Sequence, residues 1–261
     1  MGNTNCKCKY LSFNLKYNIS FHETFIGNDA EALRDILIHR LESQTESVNL
    51  KVAILNFFTA SAKTQPGLIQ LLLSQASDDG CLKSVMTLLK SLKEGSQSRF
   101  IPLQVQLMEF LYGLWSQNYV VAMNHLKTQP EFWSLLTWPL FEQQHQLGTR
   151  VNSFTLRIIS AEIFNTSKNL EKGLLNILEK LFDEKNETIQ NWCDLMVNSA
   201  SNSSVLDESV ASADQDSDLG IFLLSSWKTL LIVLSKEQPI VISPVVCHRI
   251  IDSLVEAIRG I

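Results

Sequence analysis

From Asn28 onward, apolar residues recur at spacings of three and four, the period of helices that each bury one stripe. Val48, Val52, Leu55, Phe58 and Ala62 form one such set, and Leu82, Val85, Leu89 and Leu92 another. Leu103, Leu107, Phe110 and Leu114, with Trp115 beside them, make a third, followed by Leu174, Leu178, Leu181 and Phe182. Val246, Ile250, Leu254 and Ile258 close the series after Pro244. Boundary signals accompany these stripes. Asn28 and Glu31 have capping-box spacing and open a helix to about Ser43, and Ser47 caps the next. "TQPG" at Thr64–Gly67 breaks the chain before a short helix in "LIQLLLSQ". Asp78 or Asp79 precedes the fourth helix, Pro102 suits the first turn of the fifth, and Asn118 starts a short one.

The run Thr128–Phe141, "TQPEFWSLLTWPLF", crowds two tryptophans and two prolines together. Thr128 is expected to cap a helix with Pro130 near its first turn, and Pro139 to end it. Phe132, Trp133, Leu135 and Leu136 then lie against neighbouring helices, with Leu140 and Phe141 tucked under the turn. An aromatic box for a ligand is the competing reading, but no polar or charged group converges there. The stretch 151–164 is apolar on nearly every side and should be covered on more than one flank. Asn186 to Val197 makes a further helix. In "LGIFLLSSWKTLLIVLS" (219–235) Lys228 falls mid-stretch, where a bilayer would charge about 3 kcal/mol, so a buried helix is expected and not a membrane span.

Together these give roughly ten to twelve short helices joined by short loops, the pattern of stacked antiparallel pairs. The expected fold class is all-α: an irregular α-solenoid, HEAT- or armadillo-like, with a closed bundle as the alternative. Residues 1–25 lack a helical period and read as an unrelated leader or disordered start. Residues 26–200 form the helical-repeat segment, 201–218 an acidic disordered loop, and 219–261 the continuation of the stack.

Composition narrows the picture. The chain has 261 residues, and its ten glycines and six prolines are too few for the many tight turns of a sandwich or barrel. The net charge is −5, and the acidic segment alone holds Asp207, Glu208, Asp214, Asp216 and Asp218 without a Lys or Arg. The remainder is neutral and shows no basic face, which argues against direct nucleic-acid binding. Five scattered cysteines (Cys6, Cys8, Cys81, Cys193, Cys247) read as reduced thiols. Sequons at Asn165, Asn186 and Asn202 have no signal peptide before them and read as chance. "MGNTNCKCKY" resembles an acylation site, but Cys6 stands where Ser or Thr is wanted.

No metalloprotease, hydrolase, phosphate-loop or dinucleotide motif is present. His22, His39, His125, His145 and His248 are isolated from one another, and Cys247–His248 would diverge by about 100° on a helix. Glu179, Asp183, Glu184 and Glu187 cluster with Lys180 and Lys185 as a solvated face. The residues therefore assign no catalytic, cofactor-binding or metal site, no cofactor and no small-molecule substrate. They describe a helical interaction module whose partner surface is unspecified.

Wording adds what composition does not. "NDAEALRD" (28–35), "NFFTASAKTQPGLIQLLL" (56–73), "FLYGLW" (110–115) and "FWSLLTWPLF" (132–141) stand in an order and spacing that resemble a middle portion of the nucleoporin 188 family. The resemblance is strongest over 28–141. It implies an α-solenoid, non-enzymatic scaffold of the nuclear pore's inner ring, at the nuclear envelope, serving protein and messenger RNA transport. It also implies other nucleoporins as partners, among them an inner-ring linker nucleoporin. That linker's site lies near the far C-terminal end of full-length members, so no partner-binding residue carries over. The chain is expected to be an internal segment of a much longer family chain. A helical-repeat adaptor of another transport or trafficking assembly is the alternative.

Overall fold

The computed structural model describes residues 29–73, 80–95, 100–142, 149–166, 169–185, 187–202 and 213–259. Among them are twelve α-helices and no strand. The helices are α1 Ala30–Glu42, α2 Val48–Thr64, α3 Pro66–Leu73, α4 Cys81–Glu94, α5 Ile101–Ser116 and α6 Val120–Lys127. They continue as α7 Phe132–Thr137, α8 Thr149–Thr166, α9 Lys172–Leu181, α10 Glu187–Asn202, α11 Ala213–Glu237 and α12 Pro244–Arg259.

The helices form two layers. Helices α2, α5, α8 and α11 pack side by side in one, and α1, α4, α7 and α9 line the other. Short α3 and α6 bridge the layers, and α10 packs on α11 and α12. Members of the first layer begin at Val48, Ile101, Thr149 and Ala213, an uneven spacing that explains why no strict repeat is visible in the sequence. The architecture is a stacked α-solenoid.

The stripes read from the sequence are buried where they should be. Leu55, Phe58, Ala62, Leu82, Val85, Leu89, Leu92, Leu103, Leu107, Phe110, Leu114 and Trp115 all lie in the core. So do Leu174, Leu178, Leu181, Phe182, Val246 and Ile250. Helix α8 is covered on both flanks, by α5 and α11. It also buries Ser153, Thr155 and Ser160, whose hydroxyls donate to the carbonyls of Thr149, Val151 and Leu156 at 2.7, 3.0 and 2.7 Å. Each hydroxyl is satisfied by its own helix, so a polar residue can face the core without an orphaned group.

Several boundaries differ from expectation. Asp29 occupies the N-cap of α1 without a side-chain bond, one residue beyond Asn28, which lies outside the described residues. Ser47 does cap α2, accepting from the Leu50 N–H at 3.2 Å. Gly80 stands at the N-cap of α4 in place of Asp78 or Asp79, which lie outside the described residues. Asn118 does not start α6. Its φ of 56° places it in the left-handed region that Asn tolerates, and Tyr119 takes the N-cap.

Thr128 is the clearest correction. Its hydroxyl donates to the His125 carbonyl at 2.7 Å, so it closes α6 and does not open α7. Helix α7 starts after Glu131, and Pro139 falls inside a 3₁₀ turn, Trp138–Phe141, that extends it. Backbone helix also runs to Asn202 and resumes at Ala213, within the stretch expected to be an acidic loop. Acidic sequence is favoured at a helix N-terminus, which offsets its poor helix propensity. Residues 203–212, like 1–28, lie outside the described residues.

Candidate interaction surfaces

The densest chemistry lies between layers. Trp115 of α5 stacks on Phe132 of α7, with centroids 5.7 Å apart and planes within 7°. Trp133 meets both rings edge-on, at 6.3 and 5.1 Å. Phe132, Trp133, Leu135 and Leu136 are all buried, so the tryptophan-rich run is the wedge expected of it, filled by protein.

The indole N–H groups leave the wedge in different directions. Trp115 Nε1 donates to Glu162 Oε2 of α8 at 2.9 Å, and Trp133 Nε1 donates to Glu171 Oε2 before α9 at 2.8 Å. Lys127 of α6 completes the first group, its Nζ 2.9 Å from Glu162 Oε1. The side chains of Lys127 and Glu162 are only 10% and 3% exposed. One carboxylate thus joins α5, α6 and α8 with both oxygens engaged. A buried ion pair fully satisfied in this way fixes geometry more than it adds stability.

Arg157 makes a second inter-helix tie. Its guanidinium lies 4.2 Å over the Phe222 ring and 5.9 Å from that of Tyr112, and its Nε donates to Ser226 Oγ at 3.0 Å. These contacts lock α8 to α11 and reach α5. Trp192 of α10 donates its indole N–H to the Leu140 carbonyl at 2.9 Å, anchoring the last helices to the wedge's end.

The surface also offers binding shape. A cleft of about 460 Å³ is lined by Gln70, Leu73, Leu82, Tyr119, Val121 and His125, among others. The Tyr119 hydroxyl is already committed to the Ala62 carbonyl at 2.9 Å, and burial raises its pKa. Among the described residues no group of three His, Cys, Asp or Glu could hold a metal. His39 and His248 are exposed and separate, and His22 and His145 lie outside the described residues. Glu179, Asp183, Glu184 and Glu187 are exposed, as the reading of a solvated face requires. Cys81 and Cys193 are buried, and burial pushes the Cys81 thiol up to about 12. No helix among the described residues is long and apolar enough to cross a membrane. In α11, Leu223, Trp227, Leu230 and Leu234 are buried while Lys228 is exposed.

The family model for nucleoporin Nup188, N-terminal subdomain III, matches residues 12–76. Nucleoporin NUP188 of Homo sapiens is 31% identical over 229 residues, covering 80% of this chain and 13% of that protein. The Mus musculus protein is 33% identical over 181 residues, covering 61% of this chain and 10% of its own length.

The chain belongs to the Nup188 nucleoporin family.

The Drosophila melanogaster Nup188 extends the match at 25% identity over 243 residues, 86% of this chain. Against the human, frog and fly Nup188 proteins the chain spans 13% of their length. The matched unit contains α1 to α3 whole and also residues 12–28. The Nup188-like words of the sequence prove to be core words. "FLYGLW" and "FWSLLTWPLF" supply Trp115, Phe132 and Trp133, the three rings of the wedge. Glu162 was missed by sequence reasoning. The available signal was the one acid in the run 151–164, on a helix expected to be covered on more than one flank, where a carboxylate calls for a buried partner.

Proposed function

We propose that this chain is a structural scaffold segment of the nuclear pore complex's inner ring. Through protein–protein contacts at the nuclear envelope it supports nucleocytoplasmic transport of protein and messenger RNA. Similarity to Nup188 nucleoporins over 80% of the chain carries this reading. The geometry supports it. The buried Glu162–Lys127 pair and the half-buried Arg157 hold helices together, which suits a mechanical part. The protein acts without catalysis. Its partners are other nucleoporins, and an inner-ring linker nucleoporin is the finer expectation.

The test is expression of a tagged chain at low level in cells. A nuclear rim signal, with co-recovery of inner-ring nucleoporins, is the expected result. A diffuse signal with no nucleoporin recovered would count against the reading, and accumulation on transport vesicles would favour an adaptor of another trafficking assembly.

A further inference from the structure

Helices α8 and α11 run parallel, since Phe154 meets Phe222 near their starts and Phe164 meets Lys236 near their ends. Along the open side of that seam, three cations sit on aromatic faces. Arg150 lies 6.0 Å from the Phe154 ring centre, Arg157 4.2 Å from that of Phe222, and Lys236 5.9 Å from that of Phe164. Arg150, Phe164 and Lys236 are exposed, and Arg157 is half-buried. Lys228, Ile232 and Lys236 follow one another at one-turn steps on α11, all three exposed.

The strip has cations without anions. Among the described residues no carboxylate pairs with Arg150, Arg157, Lys228 or Lys236. Arg40 and Lys63, by contrast, are paired with Glu46 and Glu109 at 2.9 and 3.1 Å. Two acids have described side chains on these helices. Glu162 is buried and holds Lys127, and Glu237 is half-buried about 100° round α11 from Lys236. Sequence alone hides this face, because the seam joins residues as far apart as Arg157 and Ser226, 69 positions along the chain. A cation resting on a ring keeps its charge and is held in place, so it loses less freedom when an anion arrives. Arg157 spends its Nε on Ser226, and its terminal nitrogens can still fork onto a carboxylate.

We infer that the α8–α11 seam binds an acidic segment of a partner protein. Its carboxylates meet Arg150, Arg157, Lys228 and Lys236, and its apolar side chains meet Phe164 and Ile232. From Arg150 to Phe164 the strip rises about 21 Å, the length of about six extended residues. Nucleic acid suits it less well. Phe154 is only 6% exposed and Phe222 carries Arg157 on its face, so bases would find little ring to stack on. The inference goes beyond the scaffold reading, which names no surface, and does not depend on it.

The experiment follows fluorescence anisotropy of a labelled peptide of glutamate-glutamate-leucine repeats against the full chain, beside its glutamine-for-glutamate counterpart. The acidic peptide should bind at least about tenfold tighter, and its affinity should fall as salt rises. Arg150→Glu combined with Lys236→Glu should weaken binding at least about tenfold while helical circular dichroism stays unchanged. Lys93→Glu, on the exposed face of α4, should change it by less than about twofold. Equal binding of the two peptides, or an equal loss in the Lys93 variant, would overturn the proposal. Tighter binding of an oligouridylate of matching charge would overturn it as well. The unaltered chain gives a reading that needs no variant. Carbodiimide, which condenses a carboxylate with an amine to an amide, should join the acidic peptide to Lys228 or Lys236. Attachment chiefly to other lysines would overturn the proposal.

Discussion

Trp115 donates its indole N–H to Glu162 across the α5–α8 interface at 2.9 Å, while the other carboxylate oxygen holds Lys127 of α6. Three helices therefore converge on one buried acid, and its removal should be costly in a predictable order. Glu162→Ala strands a buried ammonium and an indole donor, and should destabilise by about 3–5 kcal/mol. Glu162→Gln keeps one acceptor in place and should cost less, about 1–3 kcal/mol. Combining Glu162→Leu with Lys127→Met removes both charges and should recover much of the loss. Urea unfolding midpoints at constant m-value decide the order.

Trp133 separates packing from hydrogen bonding. Trp133→Ala empties the wedge beside Trp115 and Phe132 and should cost about 3–5 kcal/mol, or roughly 6–20 °C in Tm for a chain of this size. Trp133→Phe keeps a ring there but leaves Glu171 without its indole donor, and should cost about 1 kcal/mol. Thermal melts of the two variants side by side give the comparison.

Thiol accessibility should follow burial. Cys81 is buried with its pKa raised to about 12, and Cys193 is also raised chiefly by burial, whereas Cys247 is only half-buried. In native protein at pH 8, an alkylating reagent should modify Cys247 and leave Cys81 and Cys193 untouched until denaturant is added. Both buried thiols also favour the folded state while they stay protonated. For Cys81 that contribution is complete below the ordinary thiol range and is lost as pH rises from about 9 toward 12, by at most about 1.4 kcal/mol per pH unit, and Cys193 acts in the same direction. Lys51, lowered mainly by desolvation, acts in the opposite sense at high pH. Cys81→Ala should flatten the alkaline fall measured by denaturation at pH 8 and pH 11.

Arg157 should matter to one interface above others. Its guanidinium stacks on Phe222 and its Nε holds Ser226, so Arg157→Ala should loosen α11 against α8. Arg157→Lys keeps the charge but loses the planar stacking, worth about 1 kcal/mol. Hydrogen exchange should rise in α11 and stay unchanged in α2, at the far side of α8 and α5 in the same layer.

The helices were legible because each is a local object. A 3.6-residue stripe such as Leu103, Leu107, Phe110 and Leu114 records its own burial in the sequence. Boundaries were harder because one residue can serve two neighbours. Thr128 had the chemistry of an N-cap, but the end of α6 claimed its hydroxyl. The ties between helices were not legible. Trp115 and Lys127 meet Glu162 across 47 and 35 residues, and Trp133 meets Glu171 across 38. Their pairing depends on how helices stack, a choice that local spacing does not record. The aromatic wedge was the exception, since its density of Trp, Phe and Pro has few uses other than filling a junction.

The central claim is that this chain is a Nup188-type scaffold segment. The most direct measurement replaces the matching 229-residue stretch of human NUP188 with this chain and images the tagged chimaera in cells depleted of the native protein. The account predicts a continuous nuclear rim signal that co-localises with other nucleoporins. A stable, full-length chimaera that stays diffuse in the cytoplasm would contradict it.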